Sequence, residues 1–249
     1  MLSAMLEICA GSWDSVLAAR DGGADRVELC SGLAEGGLTP SVGLIRAACG
    51  LGGLKVHVLI RPRGGDFLYT EAEVALMEDD IRRAVDAGVD GVVVGSLTPD
   101  GDVDTAQLRR WVAAAGGRSV TFHRAFDLCR QPEQALEAII DCGCNRLLTS
   151  GQADKAVNGL SLLAQLVTQA GDRLSVMPGS GVNADNAAAI LAATGAHELH
   201  ASARRTVTSR MRFRLGGVSM GQPADEYTRL ETHPDEVRAI RRALSGLQA

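Results

Sequence analysis

The chain has 249 residues, 46% of them hydrophobic and 22% charged. That suits one large domain whose core needs no disulfide or structural metal to hold it. A net charge of −5 and 3% aromatic residues argue against a nucleic-acid partner, which wants a basic surface and stacking platforms. No apolar run reaches membrane-spanning length, so no membrane partner is expected. Met1 to Ala10 hold no Lys or Arg and contain Glu7, unlike a secretory signal. The expected location is therefore cytoplasmic, where the six cysteines Cys9, Cys30, Cys49, Cys129, Cys142 and Cys144 stay reduced.

The first strand is expected over Met5 to Cys9, with Ser12 placed to cap a helix from Trp13 to Asp21 that ends at Gly22-Gly23. A second strand, Asp25 to Cys30, leads through a loop to a helix that Pro40 can begin and Gly50 ends. The third strand lies in Lys55-Val-His-Val-Leu-Ile-Arg-Pro-Arg-Gly-Gly-Asp-Phe67. There Val56, Val58 and Ile60 share one face, and His57, Leu59 and Arg61 the other, before Pro62 breaks the pattern. Val74, Met77, Ile81 and Val85 recur at helical spacing over Glu71 to Ala87. Strands at Gly91 to Gly95, Ser119 to His123, Arg146 to Thr149, Leu174 to Pro178 and Glu198 to His200 then follow. They alternate with helices over Asp104 to Ala115, from Pro132, over Asp154 to Ala170 and from Asn183, and a last helix spans Pro234 to Leu247.

Strict alternation of eight strands and eight helices at this length predicts an α/β fold, a (β/α)8 TIM barrel forming a single domain over 1–249. No G-x-G-x-x-G follows the first strand, which weakens a dinucleotide-binding alternative, and no organic cofactor is expected. Residues 203–233 stand apart as a long Arg-rich loop before the last helix.

Barrel strands alternate between an apolar face under the helices and a lumen face. This assigns Glu7, Cys9, Arg26, Glu28, Cys30, His57, Arg61, Thr121, His123, Ser175, Met177, Glu198 and His200 to the lumen. A lumen filled for stability alone would be mostly Val, Ile and Leu. Glu7, Glu28, His57, His123 and His200 are thus acid–base candidates, the structural alternative being a self-satisfied network of buried ion pairs. Cys9 and Cys30, each in a Glu-x-Cys, offer two thiols that at matching heights would hold one soft ion, Cu(I) or Zn; the alternative is two small buried residues. Cys142-Gly-Cys144 begins a strand at the opposite end and reads as structural. Arg61, Arg63 and Arg124 have planar forks suited to a carboxylate or phosphate, although an Arg63–Asp66 ion pair is the plainer reading. Gly179, Ser180 and Gly181 after strand seven, Ser202 after strand eight, and Ser150 and Gly151 after strand six fit the phosphate position of such barrels.

Leu6-Glu-Ile-Cys9, Gly22-Gly-Ala-Asp-Arg-Val-Glu-Leu-Cys-Ser31, Glu35-Gly-Gly-Leu-Thr-Pro-Ser41, Thr121-Phe-His-Arg-Ala-Phe-Asp127, Leu148-Thr-Ser-Gly-Gln152 and Met177-Pro-Gly-Ser-Gly-Val-Asn183, with the stretch from His57 to Phe67, resemble the CutC family, named for copper homeostasis. The likeness continues through Met211 to Gly221 and departs at Ser180 and Ala201, where the family usually has Gly. It implies a cytoplasmic TIM barrel, a homodimer or higher homo-oligomer, and a role in copper handling, with Cu(I) on Cys9 and Cys30. The residues leave two further readings open. One is an enzyme of lyase or isomerase type using acid–base chemistry on a small anionic or phosphorylated metabolite. A Schiff-base variant is disfavoured, because neither Lys55 nor Lys155 projects from the lumen near a strand's C-terminal end. The other is an interaction scaffold docking through Arg204 to Arg214.

Overall fold

The computed structural model describes residues 4–218, 220 and 226–245. Eight strands alternate with eight helices: β1 (Met5–Ala10), α1 (Trp13–Asp21), β2 (Arg26–Leu29), α2 (Val42–Leu51), β3 (Lys55–Leu59), α3 (Glu71–Asp86), β4 (Gly91–Val94), α4 (Thr105–Ala114), β5 (Ser119–Phe122), α5 (Pro132–Asp141), β6 (Arg146–Thr149), α6 (Leu160–Ala170), β7 (Ser175–Pro178), α7 (Ala187–Thr194), β8 (Glu198–Ala201) and, after an inserted hairpin, α8 (Pro234–Ser245). The strands are parallel in the order β7-β6-β5-β4-β3-β2-β1-β8. β7 and β8 pack side by side, so the sheet is a nearly closed TIM barrel, as the alternation predicts. Its backbone ladder is interrupted only at the β7–β8 seam.

Local chemistry sets the helix starts. Ser12 and Ser41 accept the amides of Ser15 and Leu44, Asp104 accepts that of Gln107, and Thr70 with Glu73 forms a reciprocal capping box. Pro132 opens α5. The core lies between strands and helices, where Leu6, Ile8, Val27, Leu29, Val56 and Val58 are fully or almost fully buried, on the face that strand alternation assigns to them.

Three elements differ from the sequence reading. α7 begins at Ala187, not near Asn183; the Asn183 side chain accepts the Asp185 amide, holding a turn ahead of the helix. α6 begins at Leu160, because a 3-10 turn over Ala156–Asn158 takes up the preceding residues. The stretch 203–233 is not one loop: β9 (Arg204–Thr208) and β10 (Thr228–Thr232) pair antiparallel across it. These runs of Arg and Thr lack the apolar alternation that marks a buried strand, and Thr and Val supply β-propensity instead. The hairpin is anchored to the barrel, since Glu231 accepts from Ser12 and Ser15 at 2.5 and 2.6 Å, and Thr232 donates to the carbonyls of Cys9 and Ser202. Residues 219 and 221–225 of this stretch, and 246–247 of the expected last helix, lie outside the described residues.

Candidate active site and thiol pair

Two tiers of polar residues fill the lumen. In the lower tier Arg26 donates to Glu7 and, at 2.5 Å, to Glu198, while Arg146 donates to Glu198 at 2.5 and 3.0 Å. The buried Glu7 and the largely buried Glu198 thereby meet two guanidiniums, which offsets much of the cost of burying charge. Burial works to raise the Glu7 carboxyl, but Arg26 and His200 outweigh it and hold the group far below the ordinary range. Glu7 is thus a fixed anion. Its Oε1 lies 2.8 Å from His200 Nδ1, which leaves His200 Nε2 facing Glu28 at 3.7 Å.

The upper tier holds the thiols. Barrel stagger makes Cys9 the register partner of Glu28, not of Cys30, so the two Glu-x-Cys motifs are offset along the barrel axis rather than level. The side chains nevertheless bring the Sγ atoms within 3.6 Å. Donor atoms of Cys9, Glu28 and His200 all lie within 4.8 Å of one another, and a guanidinium nitrogen of Arg204 donates to Cys9 Sγ at 3.7 Å. The Cys30 thiol hydrogen bond lowers the Cys9 pKa against the effect of burial, with help from His200 and Arg204. Cys30 is pushed far up by Cys9, by burial and by Glu28. The shared hydrogen bond thus favours the thiolate on Cys9 and the thiol on Cys30. Burial lifts Glu28 to about 8, helped by Cys9 and Glu7 and opposed by His200. Burial disfavours a charged His200, but Glu28, Cys9 and Glu7 raise its pKa well above the ordinary value.

His57 and His123 are buried neutral. Burial lowers them to about 4 and about 3, with Arg61 adding to the effect at His123. Nδ1 of His123 accepts the Ala125 amide at 3.1 Å, so its neutral ring carries the proton on Nε2, which has no acceptor among the described residues. The ring packs on Phe67, centroids 5.0 Å apart. Nδ1 of His57 is likewise without a partner.

A cavity of about 380 Å3 opens above this tier, reached by Cys9, Glu28, His123 and His200 but not by Glu7, Cys30 or His57. The candidate anion ligands divide. Arg61 reaches the cavity, yet its guanidinium donates to the carbonyls of Glu35, Gly37 and Gly65 at 2.8, 3.1 and 2.7 Å; it clamps two loops. Arg63 turns away, to Glu73 at 2.6 Å and Asp66 at 3.0 Å, the plainer of the two readings of this residue. Arg124 reaches the cavity while donating to Asp127 and Ser150. The loop carrying Ser150 and Gly151 is closed around an internal anion: Thr149 Oγ1 and the amides of Ser150 and Gln152 donate to the Asp127 carboxylate at 2.5, 3.1 and 3.2 Å. Neither Ser150 nor Gly151 reaches the cavity, whereas Ser180, Gly181 and Ser202 do. Gly179 lies just behind, where a Cβ would stand 2.5 Å from Leu148. Cys142 and Cys144 pack in the outer core, as expected.

The sequence reading did not single out Arg146, Asp127 or Arg204. Arg146 was within reach of the alternation rule, since Leu147 faces the helices. Asp127 sits in a 3-10 turn and carries no periodic signal. Arg204 is one of many arginines in its stretch, and only the hairpin brings it over Cys9.

A family model for the CutC family matches residues 4–205. A family protein CutC of Chromobacterium violaceum is 56% identical over 241 residues, covering 96% of this chain and 98% of its own. A second, from Bacteroides thetaiotaomicron, is 50% identical over 246 residues, covering 98% and 96%. Among solved structures, CutC from Streptococcus agalactiae superposes with a TM-score of 0.76 at 34% identity, over 79% of this chain and 97% of that one. Thiamine phosphate pyrophosphorylase from Pyrococcus furiosus, at 13% identity and a TM-score of 0.60 over 99% and 98%, shares the barrel alone. In sequence over nearly its whole length, and in fold, the chain belongs to the CutC family.

Proposed function

We propose that the protein binds Cu(I) as cargo on the Cys9–Cys30 pair, with His200 as a third donor. The observation that carries this reading is the 3.6 Å separation of the two sulfurs beside the Cys9, Glu28 and His200 donor group. With metal–sulfur bonds of about 2.3 Å, sulfurs 3.6 Å apart subtend an angle of roughly 100°. That angle suits a three-coordinate ion better than a linear one and leaves a place for the imidazole. Thiolates favour Cu(I) and Zn over harder ions, and the copper association in the family's name favours Cu(I). Binding must expel the Cys30 proton and, for the imidazole to ligate, a His200 proton. All six cysteines are free, which agrees with a reducing cytoplasm; no helix among the described residues is long and apolar enough to cross a membrane. Met211, Phe213 and Leu215 are exposed on the hairpin, which supports a homo-oligomer. X-ray absorption of the Cu(I)-loaded protein tests the ligand set. Two sulfur neighbours and one nitrogen support it; a shell without sulfur sinks it.

A second reading is favoured by the cavity itself, which at about 380 Å3 is far larger than an ion requires. In this reading the protein is a lyase or isomerase acting on a small anionic metabolite. Glu28, lifted to about 8, takes a proton beside a carbonyl, and the Nε2–H of His123 donates to the oxygen. Incubation with small keto acids and ketose phosphates in D2O, followed by NMR, tests it. Solvent exchange at the carbon next to the carbonyl, lost in Glu28→Gln, supports the reading, and its absence across the panel counts against it.

A further inference from the structure

We infer that the wall of the cavity formed by the loops after β7 and β8 is a binding site for the phosphoryl group of a small phosphomonoester; this rests on the reading that the cavity admits a small anionic molecule. The starting point is a contrast between neighbouring loops. After β6, the backbone amides of Ser150 and Gln152 are already satisfied by the Asp127 carboxylate. After β7 and β8, the amides of Ser180, Gly181 and Ser202 have no acceptor among the described residues, and all three residues line the cavity. The break in the ladder between β7 and β8 explains why no neighbouring strand uses them. Unpaired backbone donors are rare in a folded chain unless water or a ligand takes them.

The backbone there leaves the extended conformation of the strands. Ser180 and Gly181 are both at positive φ, +80° and +69°, and Ala203, just beyond Ser202, is at +48°. Turns built around left-handed residues are one way a chain presents successive N–H groups to an anion. A non-glycine residue in that region is retained only where its surroundings demand it.

Side-chain charge matches. Arg204 lines the cavity and its Nε is buried without an acceptor among the described residues. Arg124 lines it as well, with its Nε on Asp127 and one terminal nitrogen on Ser150, and the Lys155 stem crosses Gly181. The only carboxylate among the described residues lining the cavity, Glu28, stands at the thiol end beside Cys9. Three amides and two guanidiniums, drawn from separate loops and from β9, outnumber what the two oxygens of a carboxylate engage. They suit the three terminal oxygens and double charge of a phosphomonoester. Its organic part then extends towards Glu28, His200 and Cys9.

Calorimetric titration of the metal-free full chain with inorganic phosphate tests this, with acetate as the carboxylate control and with the Arg204→Gln variant beside the wild type. The inference expects saturable phosphate binding, weakened about tenfold or more in Arg204→Gln. A ligand-free melting temperature of Arg204→Gln equal to wild type guards against misfolding; if that variant is unfolded, Arg124→Gln is titrated instead, with the same loss expected. Acetate binding as tight as phosphate overturns the phosphoryl assignment and leaves the cavity reading standing. Binding of neither anion overturns both. Equal phosphate binding by wild type and the arginine variant also overturns the assignment.

Discussion

Cys9 and Cys30 lie on neighbouring strands with their Sγ atoms 3.6 Å apart, although the residue opposite Cys9 in the register is Glu28. The stagger of the barrel gives the two thiols unlike surroundings. Cys9 reaches the cavity and meets Arg204, while Cys30 is fully buried and sits 3.6 Å from the Ala10 carbonyl.

This asymmetry predicts selective alkylation. With iodoacetamide on the metal-free protein, Cys9 is modified first, and its rate climbs less steeply with pH between about 6 and 8 than that of an ordinary thiol, because its pKa is lowered. Quenched peptide mass spectrometry reads the site. Modification of Cys30 ahead of Cys9, or a Cys9 rate that climbs tenfold per pH unit, contradicts the assigned protonation.

The lower tier predicts a stability loss on acidification. Burial raises Glu198, but Arg146 and Arg26 outweigh it and hold the group at about 2, against 4.5 for the free side chain. A depressed carboxylate contributes stability that is complete above pH 4.5 and is lost as the pH falls towards 2. Glu198→Gln leaves Arg26 and Arg146 buried with one partner fewer, at a cost of about 3–5 kcal/mol near neutral pH. Urea unfolding at pH 6 and pH 3 checks this. The gap between variant and wild type must narrow at the lower pH, and a constant gap contradicts the account.

The buried neutral histidines act in a neighbouring window. His57 and His123 titrate at about 4 and about 3 in the folded chain and at 6.5 when exposed. The unfolded state therefore binds protons first, so stability falls as the pH drops below 6.5 and levels off only below the folded values. For His57 the shift is worth about 3 kcal/mol. His57→Gln removes that share of the slope between pH 6.5 and pH 4; an unchanged slope rules it out.

Gly91 makes room for His57. A Cβ there would stand 2.7 Å from both His57 Nε2 and the Ser119 carbonyl, and the second contact is backbone that cannot rotate aside. Gly91→Ala is expected to cost about 1–3 kcal/mol through overpacking, read by thermal or urea unfolding. A variant as stable as wild type contradicts the packing described.

Much of this was legible before any coordinates. The alternation of Val27 and Leu29 against Arg26 and Glu28, repeated on strand after strand, was enough for the barrel and for most of the lumen, because a period of two is a strong constraint where one face must be apolar. The offset of Cys9 from Cys30 was not legible, since stagger is a property of closure and no single strand encodes it. Arg63 and the Ser150–Gly151 loop show a second limit. Arginines and glycine turns suit anions in general, and only the fold decides whether the anion is a ligand or a side chain such as Glu73 or Asp127. Arg204 came to the site through a hairpin whose Thr-rich strands carry no apolar pattern.

The most direct test of the thiol-pair reading is an anaerobic Cu(I) titration of the reduced protein against a calibrated competing chelator, with the Cys9→Ser/Cys30→Ser variant alongside. The account predicts tight binding near one ion per chain that the variant loses, with His200→Gln weakening it about tenfold or more. Weak binding by the wild type, or equal binding by the double variant, contradicts a copper site at these thiols.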